Sequence, residues 1–111
     1  MLIINRLERN FLVMNKDQTL QLLGLIRRAN ALITGEELVV GAIRNKKAKL
    51  VLLASDAGKN TTKKISDKAQ FYEITVIRDF TREQLSNATG MARSVYAVTN
   101  PGFAKKILQK N

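Results

Sequence analysis

Two residue types that carry much of enzyme chemistry are missing here: the 111 residues include no cysteine and no histidine. Without thiols there are no disulfides, no thiol catalysis and no redox switch, and zinc loses its usual ligands. Without imidazole, a hydroxyl–imidazole–carboxylate triad cannot be assembled. Acidic residues are scarce as well, 9 against 19 Lys and Arg, which leaves a net charge of +10 and a pI near 10.3. Long apolar runs are absent, and none approaches the roughly 20 residues a membrane-spanning helix needs. Arg6, Glu8, Arg9 and Asn10 interrupt the apolar residues at the start, so that stretch does not read as a secretory signal. These absences point to a chain that resides in the cytoplasm, with no membrane partner and no cofactor.

What is present is a length suited to one domain, with enough chain to bury a core unaided by disulfides or metal. The basic excess is the electrostatic footprint of a nucleic-acid binder, because cations displace counterions condensed on phosphates. A plainer reading of the same charge is solubility.

Met1 to Val13 has no cap, no period and no turn chemistry. Met14 leads into a normal polar helix entry, so the first thirteen residues read either as an addition upstream of the natural start or as a short segment docked on the domain. A helix is expected from about Asp17 to Ala31, capped by Asp17, with Leu20, Leu22, Leu23 and Ile26 inward. Leu32 and Ile33 make a very short strand. Thr34 and Glu37 fit a capping box that opens a second helix, with Val39, Ala42 and Ile43 inward. Asn45 to Lys49 form its exit turn. Leu50 to Ala54 is continuously apolar, as in a strand covered on both faces. Asn60 or Thr61 can cap a third helix that buries Ile65 and Ala69. Ile74 to Ile77 is a strand, and Thr81 with Gln84 makes a second capping box for a helix ending before Gly90. Ser94 to Val98 is the last strand. Asn100 followed by Pro101 opens the last helix, with Phe103, Ala104, Ile107 and Leu108 inward. Alternating strands and helices predict an α/β fold, an α/β/α sandwich with helices on both faces of one sheet.

Little of this pattern carries catalysis. Gly58-Lys59-Asn60 lacks the first Gly of a phosphate loop and the hydroxyl after its Lys. Asp56 follows a buried strand, a place where ligands often bind, yet no acid, base or nucleophile accompanies it. The chain therefore reads as a non-enzyme, with a small enzyme using Asp56 and Lys59 as a minor alternative. The cations are better organised. Arg44, Lys46, Lys47 and Lys49 gather at the exit of the second helix, Lys59, Lys63, Lys64 and Lys68 line the third, and Arg27 and Arg28 end the first.

The stretches TGEELVVGAIRNKKAKLVLLASDAG, KKISDKAQFY and TREQLSNATGMARSVYAVTNPGFA resemble the ribosomal L-seven-Ae and L-thirty-e superfamily, which includes kink-turn RNA binders. Its small bacterial YlxQ-like branch is the nearest likeness. The resemblance covers about Gln18 to the C-terminus, and it implies a three-layer α/β/α sandwich with a mixed four-stranded sheet. Kink-turn binders open a helix with Gly-x-Asn-Glu-x-x-Lys. Gly35 matches the Gly, whereas Glu37, Leu38 and Gly41 stand at the Asn, Glu and Lys places. Glu37 can accept from base amino groups but cannot donate as Asn does. The family also packs the loop before the last strand against a splayed nucleotide. Met91, Ala92, Arg93 and Ser94 fall there, and the same stretch also reads as a plain helix-to-strand turn.

The expected function is RNA binding, with structured RNA of kink-turn or ribosomal type as partner, association with the ribosome, and a monomeric chain. The expected contact residues are Thr34, Gly35, Glu36, Glu37, Leu38, Gly41, Arg44, Lys46, Lys47, Lys59, Met91, Ala92 and Arg93. A protein-interaction module of the same fold is the alternative, with Leu38 as an exposed apolar contact.

Overall fold

The structure, a computed structural model, describes residues 14–109. The Met1–Val13 stretch and the two readings of it lie outside the described residues. In chain order the elements are α1 (Lys16–Arg28), β1 (Leu32–Thr34), α2 (Glu36–Arg44), β2 (Leu50–Leu53), α3 (Lys59–Phe71), β3 (Val76–Ile77), α4 (Arg82–Thr89), β4 (Val95–Val98) and α5 (Pro101–Leu108). The strands form one four-stranded sheet in the order β1-β4-β2-β3. β4 is antiparallel to both β1 and β2, and β2 and β3 are parallel, joined through α3 as a parallel pair requires.

The two central strands explain the layers. Every residue of β2 and β4 is buried. Successive side chains on a strand point to opposite faces. Leu50, Leu52, Tyr96 and Val98 meet Leu22, Leu23, Ile26, Leu85 and Ile107 of α1, α4 and α5. Val51, Leu53, Val95 and Ala97 meet Val39, Val40, Ile43 and Ile65 of α2 and α3. The result is the expected sandwich, with a separate apolar core on each side of the sheet. Truncating a fully buried Leu such as Leu23 would cost about 2–5 kcal/mol.

Several local expectations change. Asn15, not Asp17, caps α1, its Oδ1 accepting from the Asp17 amide at 2.8 Å and the Gln18 amide at 3.3 Å. The helix ends at Arg28, and the chain turns through Asn30 in the left-handed region at φ 59°. α3 begins at Lys59 behind Gly58, and neither Asn60 nor Thr61 caps it. β3 keeps only two residues, because the Ile74 amide instead closes the end of α3 on the Ala69 carbonyl at 2.8 Å. The Thr81–Gln84 box forms as expected, and Asn100 accepts from the Phe103 amide at 3.0 Å with Pro101 beside it.

Candidate nucleic-acid interface

α2 starts without the expected cap. Thr34 is the last residue of β1 and pairs with Tyr96 across the sheet, so it cannot turn its hydroxyl onto the helix. Gly35 takes the N-cap position at φ 95° and ψ 150°, a conformation that only glycine adopts without strain. Its own amide donates to the Val95 carbonyl at 3.0 Å. Among the described residues, no side chain caps the first turn of α2. The amides of Glu36, Glu37 and Leu38 thus carry the positive end of the helix dipole to the surface.

The loop between α4 and β4 stands over this corner. Thr34, Gly35, Glu36, Glu37, Leu38 and Arg93 line one shallow depression of about 480 Å³. A Cβ on Gly35 would sit 3.7 Å from Arg93 Nε, so the guanidinium lies directly beside the glycine. The loop is braced from beneath. The buried Tyr96 hydroxyl accepts from the Arg93 amide at 3.2 Å and lies within bonding distance of the Met91 and Arg93 carbonyls. Arg82 donates through Nε to Ser94 Oγ at 3.1 Å and through Nη2 to the Ala92 carbonyl at 3.0 Å. Tyr96 and Arg82 were not among the expected site residues. A lone hydroxyl-bearing ring in the aliphatic run of β4 was the available signal for Tyr96.

The other expected contacts separate into distinct places. Met91 is partly buried against the α1/α4/α5 core, with its amide donating to the Thr89 hydroxyl. Ala92 is exposed beside Arg93. Glu36 ties α2 to α3, accepting from the Thr61 hydroxyl at 2.6 Å and pairing with Lys64 at 2.8 Å. The Lys64 bond, and after it the Thr61 bond, hold the Glu36 carboxyl below the usual carboxylate range, and Glu36 in turn raises Lys64. Arg44 opens onto a groove of about 450 Å³ between α2 and α3, with Glu37, Val40, Lys64 and Lys68. Gly41 leaves open space at mid-helix. Lys46 and Lys47 are exposed in the turn past Arg44, and Lys59 is exposed at the start of α3. The cations are therefore strung along α2 and α3 rather than gathered at one point. Asp56 accepts from the Arg82 amide at 2.8 Å, which makes it a brace for α4.

A profile of the ribosomal protein L7Ae/L30e/S12e/Gadd45 family matches residues 17–108. The chain belongs to this family. Among similar L7Ae-type proteins, the "RNA-binding protein YlxQ" of Enterococcus faecium is 44% identical over 92 residues, 83% of this chain and 89% of the relative. The protein of the same description from Bacillus subtilis (strain 168) is 47% identical over 88 residues, 78% and 88% of the two chains. A solved structure from Bacillus halodurans, described as a protein with unknown function, superposes with a TM-score of 0.78 at 42% identity, over 84% of this chain and 98% of that one. The "Giardia lamblia 15.5kD RNA binding protein" superposes with a TM-score of 0.71 over 91% and 92% of the chains. At 18% identity this last likeness is one of fold. Within the L7Ae family frame, the open start of α2 and the braced loop of Arg93 occupy neighbouring positions at one end of the sheet.

Proposed function

We propose that this chain is a non-enzymatic RNA-binding protein that receives a structured RNA, of kink-turn or ribosomal type, against the start of α2. The observation that carries the reading is the uncapped helix start at Gly35, with Arg93 beside it in one depression. Unbonded amides and a positive dipole suit a phosphate, and an arginine with its backbone braced suits a bent RNA strand. The descriptions of the Enterococcus and Bacillus relatives support the same assignment. Gly35 lets the RNA backbone approach. Arg93 and Ala92 face the nucleotide there, Glu37 accepts from a base amino group, and Arg44 and Lys47 hold flanking phosphates. Lys46 and Lys59 add charge at the margins. The protein acts as a monomer in the cytoplasm and associates with ribosomal RNA.

Titration of a hairpin RNA carrying a kink-turn loop, at several salt concentrations, tests the proposal. Binding weakens steeply with salt, and each phosphate contact removed lowers the log–log slope by about 1. The double variant R44E/K47E binds far more weakly at an unchanged thermal midpoint. Affinity that ignores salt overturns the reading. A second reading rests on Leu38, which is 68% exposed beside the same depression. An apolar residue there fits a protein partner, and retained RNA affinity in Leu38→Ala with loss of a stable protein complex favours that reading.

A further inference from the structure

The depression at the start of α2 and the α2–α3 groove share Glu37 in their walls, so they adjoin there. Beyond Glu37 the groove becomes cationic. Arg44 at the end of α2 faces Lys64 and Lys68 on α3, and Arg44 lies close enough to Lys64 to oppose its charge. On α3, Lys64, Lys68 and Phe71 recur at helical spacing, which puts Phe71 on the same face of the helix, about one turn past Lys68. Phe71 is 77% exposed, the most exposed large apolar residue among those described. Its ring meets Tyr72 edge-on, with centroids 4.9 Å apart and planes at 76°. That contact braces the ring and leaves most of it in water. A single exposed Phe is ordinary on a protein surface. A braced Phe at the end of a row of cations has the composition of a single-strand binding track, in which cations follow the backbone and an aromatic ring stacks a base.

We propose that the α2–α3 groove holds a single-stranded extension of the bound RNA, which leaves the flanking phosphate held by Arg44, passes Lys64 where it is tied to Glu36, and continues with its phosphate on Lys68 and a base stacked on Phe71. This rests on the RNA reading of the α2 start and extends it. α2 and α3 run side by side from the depression, and the nine residues of α2 span about 13 Å, so the track takes a few nucleotides that leave the structured element. Glu37 marks the junction, and Glu36 is already neutralised by Lys64, so the far half of the groove is free of carboxylates among its described lining residues.

The test compares the kink-turn hairpin with blunt ends and the same hairpin carrying a uridine tail at either end. With the intact chain, the tail on one end tightens binding about tenfold, equivalent to about 1.4 kcal/mol. Phe71→Ala removes that gain and leaves the blunt hairpin unaffected. Phe71→Tyr keeps the gain, and Lys68→Ala lowers the salt slope of the tailed RNA by about 1 and that of the blunt RNA not at all. No gain from either tail, or a gain that survives Phe71→Ala, overturns the proposal. If the blunt hairpin itself is not bound, the reading of the α2 start fails, and a uridine oligomer alone decides the track. Binding of the oligomer that depends on Phe71 supports the track, and absent or Phe71-independent binding overturns it. A change in self-association on Phe71→Ala, with tailed-RNA affinity intact, also overturns it.

Discussion

Helices α2 and α4 follow the same local signature, Thr34 with Glu37 and Thr81 with Gln84, and they treat it differently. At α4, Thr81 Oγ accepts from the Gln84 amide at 3.2 Å and Gln84 Oε1 accepts from the Thr81 amide at 2.9 Å, so the box is closed. At α2, Thr34 is held in the sheet, Gly35 stands between strand and helix, and the box stays open. Local sequence offers both helices a self-sufficient start. Pairing of β1 with β4 withdraws the offer at α2, and the amides left over become available to a ligand. A closed box stabilises α4, whereas the first turn of α2, like that of α3 behind Gly58, has no side-chain cap.

The largest expected effect comes from the residue that keeps α2 open. Gly35→Ala forces a side chain into a glycine-only conformation and costs about 1–3 kcal/mol, read as a lowered urea midpoint at unchanged slope. Gly58→Ala at the start of α3 is the control: its φ is −62° and a Cβ meets open space, so stability holds or rises slightly. Thr81→Ala removes a working cap and costs about 1 kcal/mol, whereas Thr34→Ala removes none and costs less. Equal losses for the two threonines would show that α2 has a closed start in solution. The smallest effect is a pH dependence at the strut between α2 and α3. The Glu36 carboxyl is held below its ordinary value when folded, so it binds a proton more weakly folded than unfolded. Its contribution is complete above the ordinary carboxylate range and is lost as pH falls through the lowered folded value. Lys64 behaves in the opposite sense, contributing fully below its ordinary value and losing that as pH rises through the raised one. Glu36→Gln therefore flattens the acid limb of a stability–pH curve, and because the pair is exposed the change is small.

The sandwich was legible because its strongest signals are unambiguous. A continuous apolar run at Leu50–Leu53 admits few readings besides a strand covered on both faces, and Asn100-Pro101 is a helix start on any reading. What was not legible depended on neighbours distant in sequence. Asn15 and Asp17 are both good caps, and only the path of the chain, with Thr19 buried beneath it, selects Asn15. Ile74 looked like a strand residue until its amide was needed to end α3. At the site, Gly35 and Arg93 lie far apart in sequence and meet only because β1 and β4 are neighbours in the sheet. The sequence places Lys64 and Lys68 on α3, but not opposite Arg44 across a groove. The hydroxyl is the one local mark that sets Tyr96 apart from its aliphatic neighbours; the ring is core, and only the fold shows that the hydroxyl reaches the loop above.

The outer strands of the sheet are its shortest, three residues in β1 and two in β3. Among the described residues, an edge that brief offers a neighbouring copy almost nothing to hydrogen-bond against. Molecules crowded onto a common polyanion, their mutual repulsion screened, would thus be kept from zippering together into larger β-assemblies.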